Sequence, residues 1–187
     1  MSILTAYTKF IQQALKYGFS LWGPSKTRQT TKYKTGDDGD LEKGYPASGA
    51  RFVDNGDGTI TDNATGLMWV KDSGAIGGDW GTAGNPSSKT WDDAIDLCNA
   101  LDYAGHTDWR MPNRIELLSL IHHGKGAAPL MDENFFVMVS AEYWTSTTYS
   151  LITGECFFID FIDATSNSKV KTGYKKTIPV RLGIPKD

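Results

Sequence analysis

The spacing of apolar residues predicts a helix at the beginning of the chain. From Leu4 to Leu15, apolar residues recur at intervals of three or four, which places them on one face of an amphipathic helix. The Gly23-Pro24 pair follows this pattern and stops the helix. We assign residues 1–23 to this element. Two interpretations stay open: the helix packs on its own domain, or it anchors the chain or joins copies of it into a homo-oligomer.

Two further helices are indicated by capping signals. Thr90, with Asp93 three residues later, resembles a capping box, and the apolar residues that follow at helical spacing put Cys98 on the buried side. Asn113 with Glu116 marks the start of the other helix in the same way. The apolar positions of this second helix are expected to face inward: Ile115, Leu118 and Ile121.

Turn residues predict strands before these helices. Phe52 and Ile60 flank a turn rich in Gly, Asn and Asp, and a second turn leads into the apolar residues 67–70, so we predict a hairpin followed by a buried strand. Residues 24–50 hold few apolar anchors and are predicted to be an extended linker, with the domain proper over 51–187. Two helices with several short antiparallel strands make this an α+β domain.

A two-residue period near the end of the chain predicts one more strand. Phe157, Ile159 and Phe161 form one set and are expected to point inward. Phe158 and Ile162 then point outward, and two such exposed apolar side chains favour a contact patch. A strand that is buried on both faces is the alternative that stays open.

Composition and charge narrow the class of protein. The 187 residues are 40% hydrophobic and 12% aromatic, which is enough for a core and excludes disorder throughout the chain. With a net charge of −3, the sequence gives no sign of the positively charged surface that binds nucleic acid, so no nucleic-acid partner is expected. Lys9 and Lys16 interrupt the apolar stretch 3–22, which predicts no membrane span, and no secretory signal is seen. We therefore expect a cytoplasmic protein or one on a virion surface.

The candidate metal ligands and thiols are interpreted as structural. Asp54, Asp57 and Asp62 resemble part of a calcium loop but lack its full spacing, so a plain hairpin turn is favoured and calcium stays the minor alternative. Cys98 and Cys156 match no metal-binding pattern. We interpret both as free thiols, with a mutual disulfide as the less favoured alternative.

The polar segment before the second capped helix is also interpreted as structural. A buried Arg110 held by a carboxylate such as Asp108 is expected to fix this loop. The three histidines lie beside no Ser or Cys nucleophile in a local motif, and the chain has no phosphate loop or dinucleotide fingerprint. We therefore predict no catalytic residue, no cofactor and no metal, so the protein is not expected to be an enzyme.

Five segments, taken in order, resemble a known domain family. They are RFVDNGDGTITDNATGLMW, TWDDAIDLCNAL, AGHTDWRMPNRIELLSL, YWTSTTYS and PVRLG. Over about residues 51–183 they closely resemble the bacterial and phage family typified by the C-terminal domain of the Lcl collagen-like adhesin. The resemblance implies a C-type-lectin-like fold that binds ligands. It also implies that some members are variable proteins of diversity-generating retroelements, in which a reverse transcriptase rewrites adenine positions near the 3′ end of the gene.

The same resemblance implies a variable ligand-binding surface over about residues 143–174. Strand alternation assigns Trp144, Phe157, Ile159 and Phe161 to the fixed frame. The expected ligand is a protein or glycan on a host or partner surface. An invariant adhesion or carbohydrate-binding module of the same fold is the alternative. Formylglycine-generating enzymes share a related fold and use paired cysteines, but Cys98 is expected to lie buried and far from Cys156, which disfavours an enzyme. The residues expected to bind the ligand are Tyr149, Leu151, Ile152, Phe158, Asp160, Ile162, Ser166, Ser168 and Tyr174.

Overall fold

The fold is built from two antiparallel sheets with short helices beside them. The computed structural model describes residues 25–44, 50–139 and 141–183. The helix predicted over residues 1–23 lies outside the described residues, so both interpretations of it stay predictions. The strands and helices of the described part confirm the α+β class. None of the helices in this part is long and apolar enough to cross a bilayer.

The first sheet contains the predicted hairpin. Its strands are β1 (Phe52–Asp54), β2 (Thr59–Asp62), β3 (Leu67–Val70) and β9 (Val180–Leu182), antiparallel in the order β1-β2-β3-β9. The Asp54 side chain accepts a hydrogen bond from the backbone N–H of Gly56 at 3.0 Å, and the Asp57 side chain accepts one from Thr59 at 3.0 Å. Gly58 has a φ of +88°, a conformation that favours glycine. The hairpin prediction is confirmed.

The predicted helix starts are confirmed, but one inward position is wrong. The helices are α1 (Asp38–Leu41), α2 (Trp91–Asn99) and α3 (Arg114–Leu118), and a small ribbon of β4 (Gly81–Thr82) and β5 (Asn85–Pro86) precedes α2. Thr90 caps α2, and Asn113 with Glu116 forms a full capping box at the start of α3. Ile115 is 73% exposed, whereas Leu117 is buried. Leu117 faces the core and lies two residues from Ile115, about 200° away around the helix, so Ile115 is turned towards solvent.

The second sheet is buried on parts of both faces. Its strands are β6 (Glu142–Thr148), β7 (Glu155–Asp160) and β8 (Thr165–Val170), antiparallel in that order. Ile159 and Phe161 pack into one core cluster with residues of the first sheet. Trp144, Cys156 and Phe158 pack into a second cluster that includes residues of α2. Of the two interpretations of this strand, the structure therefore supports the one in which β7 is buried on both faces.

The prediction that Phe158 points to solvent is wrong. Its side chain is 6% exposed, and its ring packs edge-on against Trp144 with the centroids 6.3 Å apart. The Nζ of Lys175 lies 3.8 Å from the centre of the Phe158 ring. Alternation along β7 separates Phe158 from Ile159 correctly, but α2 and the chain around Lys175 cover the face that was expected to be open.

The described residues before the first sheet are held by polar contacts. The Nη2 of Arg28 donates to the carbonyl of Leu120 at 2.7 Å, and the N–H of His123 donates to the carbonyl of Thr27 at 3.1 Å. These hydrogen bonds attach the described residues of the segment that was predicted to be an extended linker, so polar rather than apolar contacts hold it against the domain. The domain bounds at residues 23, 50 and 51 stay predictions.

Candidate functional site

The half-open face of the second sheet carries the candidate site. Phe157 lies opposite Ser168, and Ile159 lies opposite Ser166, so these side chains share one face of the sheet. The Ile159 end of this face is buried, whereas the Phe157 end is only half-covered. We call this surface the Arg114 face and define it by six half-buried residues: Arg114, Tyr149, Glu155, Phe157, Ser166 and Ser168.

The centre of the Arg114 face is a stacked cation and two aromatic rings. The Arg114 guanidinium carbon lies 4.0 Å from the centre of the Phe157 ring. The rings of Tyr149 and Phe157 lie next to each other, with centroids 5.3 Å apart and an interplanar angle of 59°. The Nε of Arg114 donates to the hydroxyl of Ser166 at 2.8 Å, and its backbone N–H donates to the hydroxyl of Thr147 at 3.0 Å. These contacts fix the arginine in one orientation.

Contacts of the loop before α3 fix where this helix begins and therefore where Arg114 lies. Arg110 forms a bidentate ion pair with Glu116, with N–O distances of 2.8 and 2.6 Å. Burial disfavours the charged form of Glu116, but hydrogen bonds from Arg110 and from the backbone of Asn113 outweigh it, so the pKa of Glu116 is lowered. The prediction that a carboxylate holds Arg110 is confirmed, but the carboxylate is Glu116, and Asp108 pairs with Arg181. Val180 pairs with Arg110 across a β-bridge, which brings Arg181 beside Asp108, and the Nε of Arg181 donates to Asp108 at 2.7 Å.

The predicted ligand-binding residues fall into separate places. Leu151 is 81% exposed in the turn between β6 and β7, and Ile152 beside it is also exposed. Ile162 is exposed in the turn between β7 and β8, at the opposite end of β7. The half-buried Asp160 accepts a hydrogen bond from the N–H of Ile162 at 2.8 Å, and Tyr174 is exposed beyond β8. With about 3.3 Å per residue along β7, one small ligand group cannot contact both turns.

Tyr149, Ser166 and Ser168, three of the predicted ligand-binding residues, lie half-buried on the Arg114 face, and two members of this face were missed. Phe157 was assigned to the inward set because it shares a face with Ile159. The alternating pattern does not show that the packed core covers Ile159 but leaves Phe157 half-exposed. Arg114 gave no signal, since it lies inside a capping box that explains the local sequence. An arginine directly after a helix cap carries no chemical signature by itself.

The two cysteines are buried in this fold, and both have a raised thiol pKa. Cys98 and Cys156 are free and buried, and both lie in the second core cluster rather than in separate regions. Burial raises the pKa of each thiol to about 12. Both thiols therefore stay protonated at neutral pH, which leaves no thiolate nucleophile at either position.

The carboxylates of the first hairpin are already engaged. Both oxygens of the buried Asp62 accept hydrogen bonds from Arg51, at 3.0 and 2.8 Å. Asp54 accepts one from the Nζ of Lys71 at 2.6 Å. Within residues 25–44, 50–139 and 141–183, no group of three or more His, Cys, Asp or Glu side chains could hold a metal ion.

Comparison with known families gives one match over this structure. The family model of the Lcl C-terminal domain matches residues 58–181. The chain belongs to this family. The Lcl C-terminal domain of this chain extends from the first hairpin to β9 and contains the whole Arg114 face. A search of the curated proteins found no matching relative.

Proposed function

We propose that this Lcl C-terminal domain is a non-catalytic ligand-binding module, and that the Arg114 face with the β6–β7 turn is its binding surface. The observation that carries this proposal is the arginine held over the Phe157 ring beside Tyr149, at the open end of a sheet whose other face is core. Tyrosine and arginine are enriched among residues that dominate binding energies. The exposed Leu151 and Ile152 extend the same end of the sheet with apolar surface.

The proposal includes a C-type-lectin-like fold and a protein or glycan ligand on a host or partner surface. Family membership and the pairing of two antiparallel sheets with two capped helices support the fold. Buried, protonated thiols support a role without catalysis. Display on a virion surface would bring the binding surface to such a ligand.

We also propose that residues 143–174 are diversified by a retroelement. Buried residues such as Tyr143 and Ile159 alternate there with the exposed turns at 150–154 and 162–163, so substitutions in the turns would leave the core unchanged. A near-copy of the 3′ end of the gene that differs only at adenines, beside a reverse transcriptase gene, is the expected genomic sign. Without it, the invariant adhesion or carbohydrate-binding module becomes the better assignment.

A matched pair of variants tests the binding surface. Tyr149→Ala combined with Leu151→Ser and Ile152→Ser removes the apolar part of the proposed surface, and Val53→Ser alters an exposed apolar residue on β1 of the first sheet, outside residues 143–174. Both proteins are screened against arrays of host-surface proteins and glycans, with folding checked by circular dichroism. Loss of the wild-type binding pattern in the triple variant alone is expected. Retained binding in the folded triple variant would remove this surface as the site.

A further inference from the structure

Arg114 differs from the other arginines in the described part of the chain. Each of the other four has a carboxylate partner: Arg28 pairs with Asp132 at 3.5 Å, Arg51 with Asp62 at 2.8 Å, Arg110 with Glu116 at 2.6 Å and Arg181 with Asp108 at 2.7 Å. Among the described residues, Arg114 forms no ion pair with any acidic side chain. A half-buried guanidinium on an open surface therefore keeps its charge available.

The contacts of Arg114 leave one edge of its guanidinium for a ligand. The Nε donates to Ser166, and the guanidinium carbon lies 4.0 Å from the centre of the Phe157 ring. The Nη1 and Nη2 atoms donate to no residue in the described part of the chain. A planar pair of N–H donors matches the two oxygens of a carboxylate. Because the side chain is already held, binding costs little additional rotamer entropy.

We propose that the Nη1 and Nη2 atoms of Arg114 bind the carboxylate of an Asp or Glu side chain on a protein ligand. This inference rests on the proposed function, since it names the chemistry recognised by that same surface. Tyr149 and Leu151 contact apolar parts of the same ligand, and the carboxylate fixes its position on the sheet.

The surroundings favour a single carboxylate over a phosphate or a sulfated chain. Glu155 lies on the same face, where it accepts a hydrogen bond from Ser168 at 2.6 Å, and its negative charge repels a group that carries two or more charges. Phosphate-bearing and polyacidic motifs are bound by clusters of arginines, whereas Arg114 is the single arginine that defines this surface. The exposed aliphatic Leu151 and Ile152 favour a protein over a sugar, because they gain by covering apolar surface.

The test uses a display library of random heptapeptides, selected on the immobilised full-length chain. The wild type, Arg114→Gln, Arg114→Lys and Lys169→Gln are compared. Lys169 is the matched control, because it is an exposed cation on β8 opposite Cys156 and so belongs to the other face. We expect an Asp or Glu to be enriched at one peptide position on the wild type and on Lys169→Gln, to be enriched more weakly on Arg114→Lys, and not to be enriched on Arg114→Gln.

A double-mutant cycle then measures the contact itself. Arg114→Gln should lower the affinity for the selected peptide by about ten- to a hundredfold, which is the loss expected for a charge-assisted hydrogen-bonded pair. Replacing the Asp or Glu of the peptide with Asn or Gln should lower the affinity by the same factor. The two changes together should lower the affinity no further than either change alone. Arg114→Lys should retain only part of the wild-type affinity, because a lysine keeps the positive charge but lacks the planar pair of N–H donors.

Three results would overturn the carboxylate assignment. They are selected peptides without an enriched acid, an equal acid preference on Arg114→Gln, or Arg114-dependent binding of dextran sulfate with no peptide selected. If the selected peptides bind Arg114→Gln normally but lose binding to the Tyr149, Leu151 and Ile152 triple variant, the inference fails and the proposed function stands. If neither change affects any binding of the folded protein, both fail.

Discussion

Phe157 and Phe158 are adjacent residues of one strand that the structure places in opposite environments. Phe158 lies in the second core cluster with Trp144, whereas Phe157 is half-exposed under Arg114. Alanine at either position removes the same atoms from the same strand, so the loss of strand propensity is equal. Each ring also lies against one cation, Arg114 for Phe157 and Lys175 for Phe158, so the difference between the two variants measures mainly burial, which is the property that alternation did not predict.

The expected magnitudes follow from the area that each ring buries. A fully covered phenylalanine buries about 150 Å² or more, which at about 25 cal/mol per Å² corresponds to about 4 kcal/mol. Phe158→Ala should therefore lower the free energy of unfolding by about 3–5 kcal/mol, including the cavity that it leaves. Phe157→Ala loses about half of this area, worth about 2 kcal/mol, and a cation–π contact of about 0.5–1 kcal/mol, so a cost of about 2.5–3 kcal/mol is expected.

Urea denaturation followed by fluorescence and circular dichroism measures both variants. The slope of the free energy against urea should match that of the wild type, so that shifts in the midpoint report stability. Equal losses in the two variants, or a larger loss for Phe157→Ala, would refute the assignment of Phe158 to the core. A third variant, Phe158→Leu, should recover most of the loss because it refills the cavity.

Three further outcomes are expected. Reducing agent should leave the melting temperature unchanged, because Cys98 and Cys156 are free, and a disulfide reagent at pH 8 should modify them only after denaturant is added; a drop of several degrees on reduction would contradict this. Thr90→Ala should lower stability by about 1 kcal/mol through loss of the α2 cap, measured by urea denaturation. The lowered pKa of Glu116 in the folded state means that its stabilisation is present above its ordinary value of 4.5 and is lost as the pH falls below it. Acid titration of Glu116→Gln should therefore show a smaller loss of stability in that range, and an unchanged titration curve would contradict the pairing with Arg110.

Local signals in the sequence predicted the elements well. The Thr90 and Asn113 caps and the first hairpin turn depend on side chains that bond backbone groups within three residues, so their geometry is encoded where it occurs. The buried position of Cys98 also follows from helical spacing within one element. These features need no knowledge of how the rest of the chain packs.

Long-range packing decided the features that the sequence did not predict. Alternation separates the two faces of β7 but does not show that α2 and Lys175 cover the Phe158 face. In the same way, Arg110 had two candidate carboxylates close in sequence, and the bridge to Val180 near the end of the chain decided between them. The Arg114 face combines both problems, because it joins a helix start to strands more than 30 residues later.

The capping box of α3 links the stability of the fold to the geometry of the candidate site. A helix rotates by about 100° per residue, so a start displaced by one position would turn Arg114 away from Phe157. Asn113→Ala should therefore do more than remove about 1 kcal/mol of stability: it should also loosen the bond from the Nε of Arg114 to Ser166. NMR hydrogen exchange of the Arg114 Nε–H should be faster in this variant.

Thr90→Ala is the matched control, because it removes the cap of α2 at a similar cost in stability. Arg114 bonds Ser166 and Thr147 and stacks on Phe157, and none of these contacts involves α2. Loss of the α2 cap should therefore leave the Arg114 exchange rate unchanged. If both variants accelerate exchange equally, the effect comes from global destabilisation, and the cap of α3 has no separate part in holding the arginine.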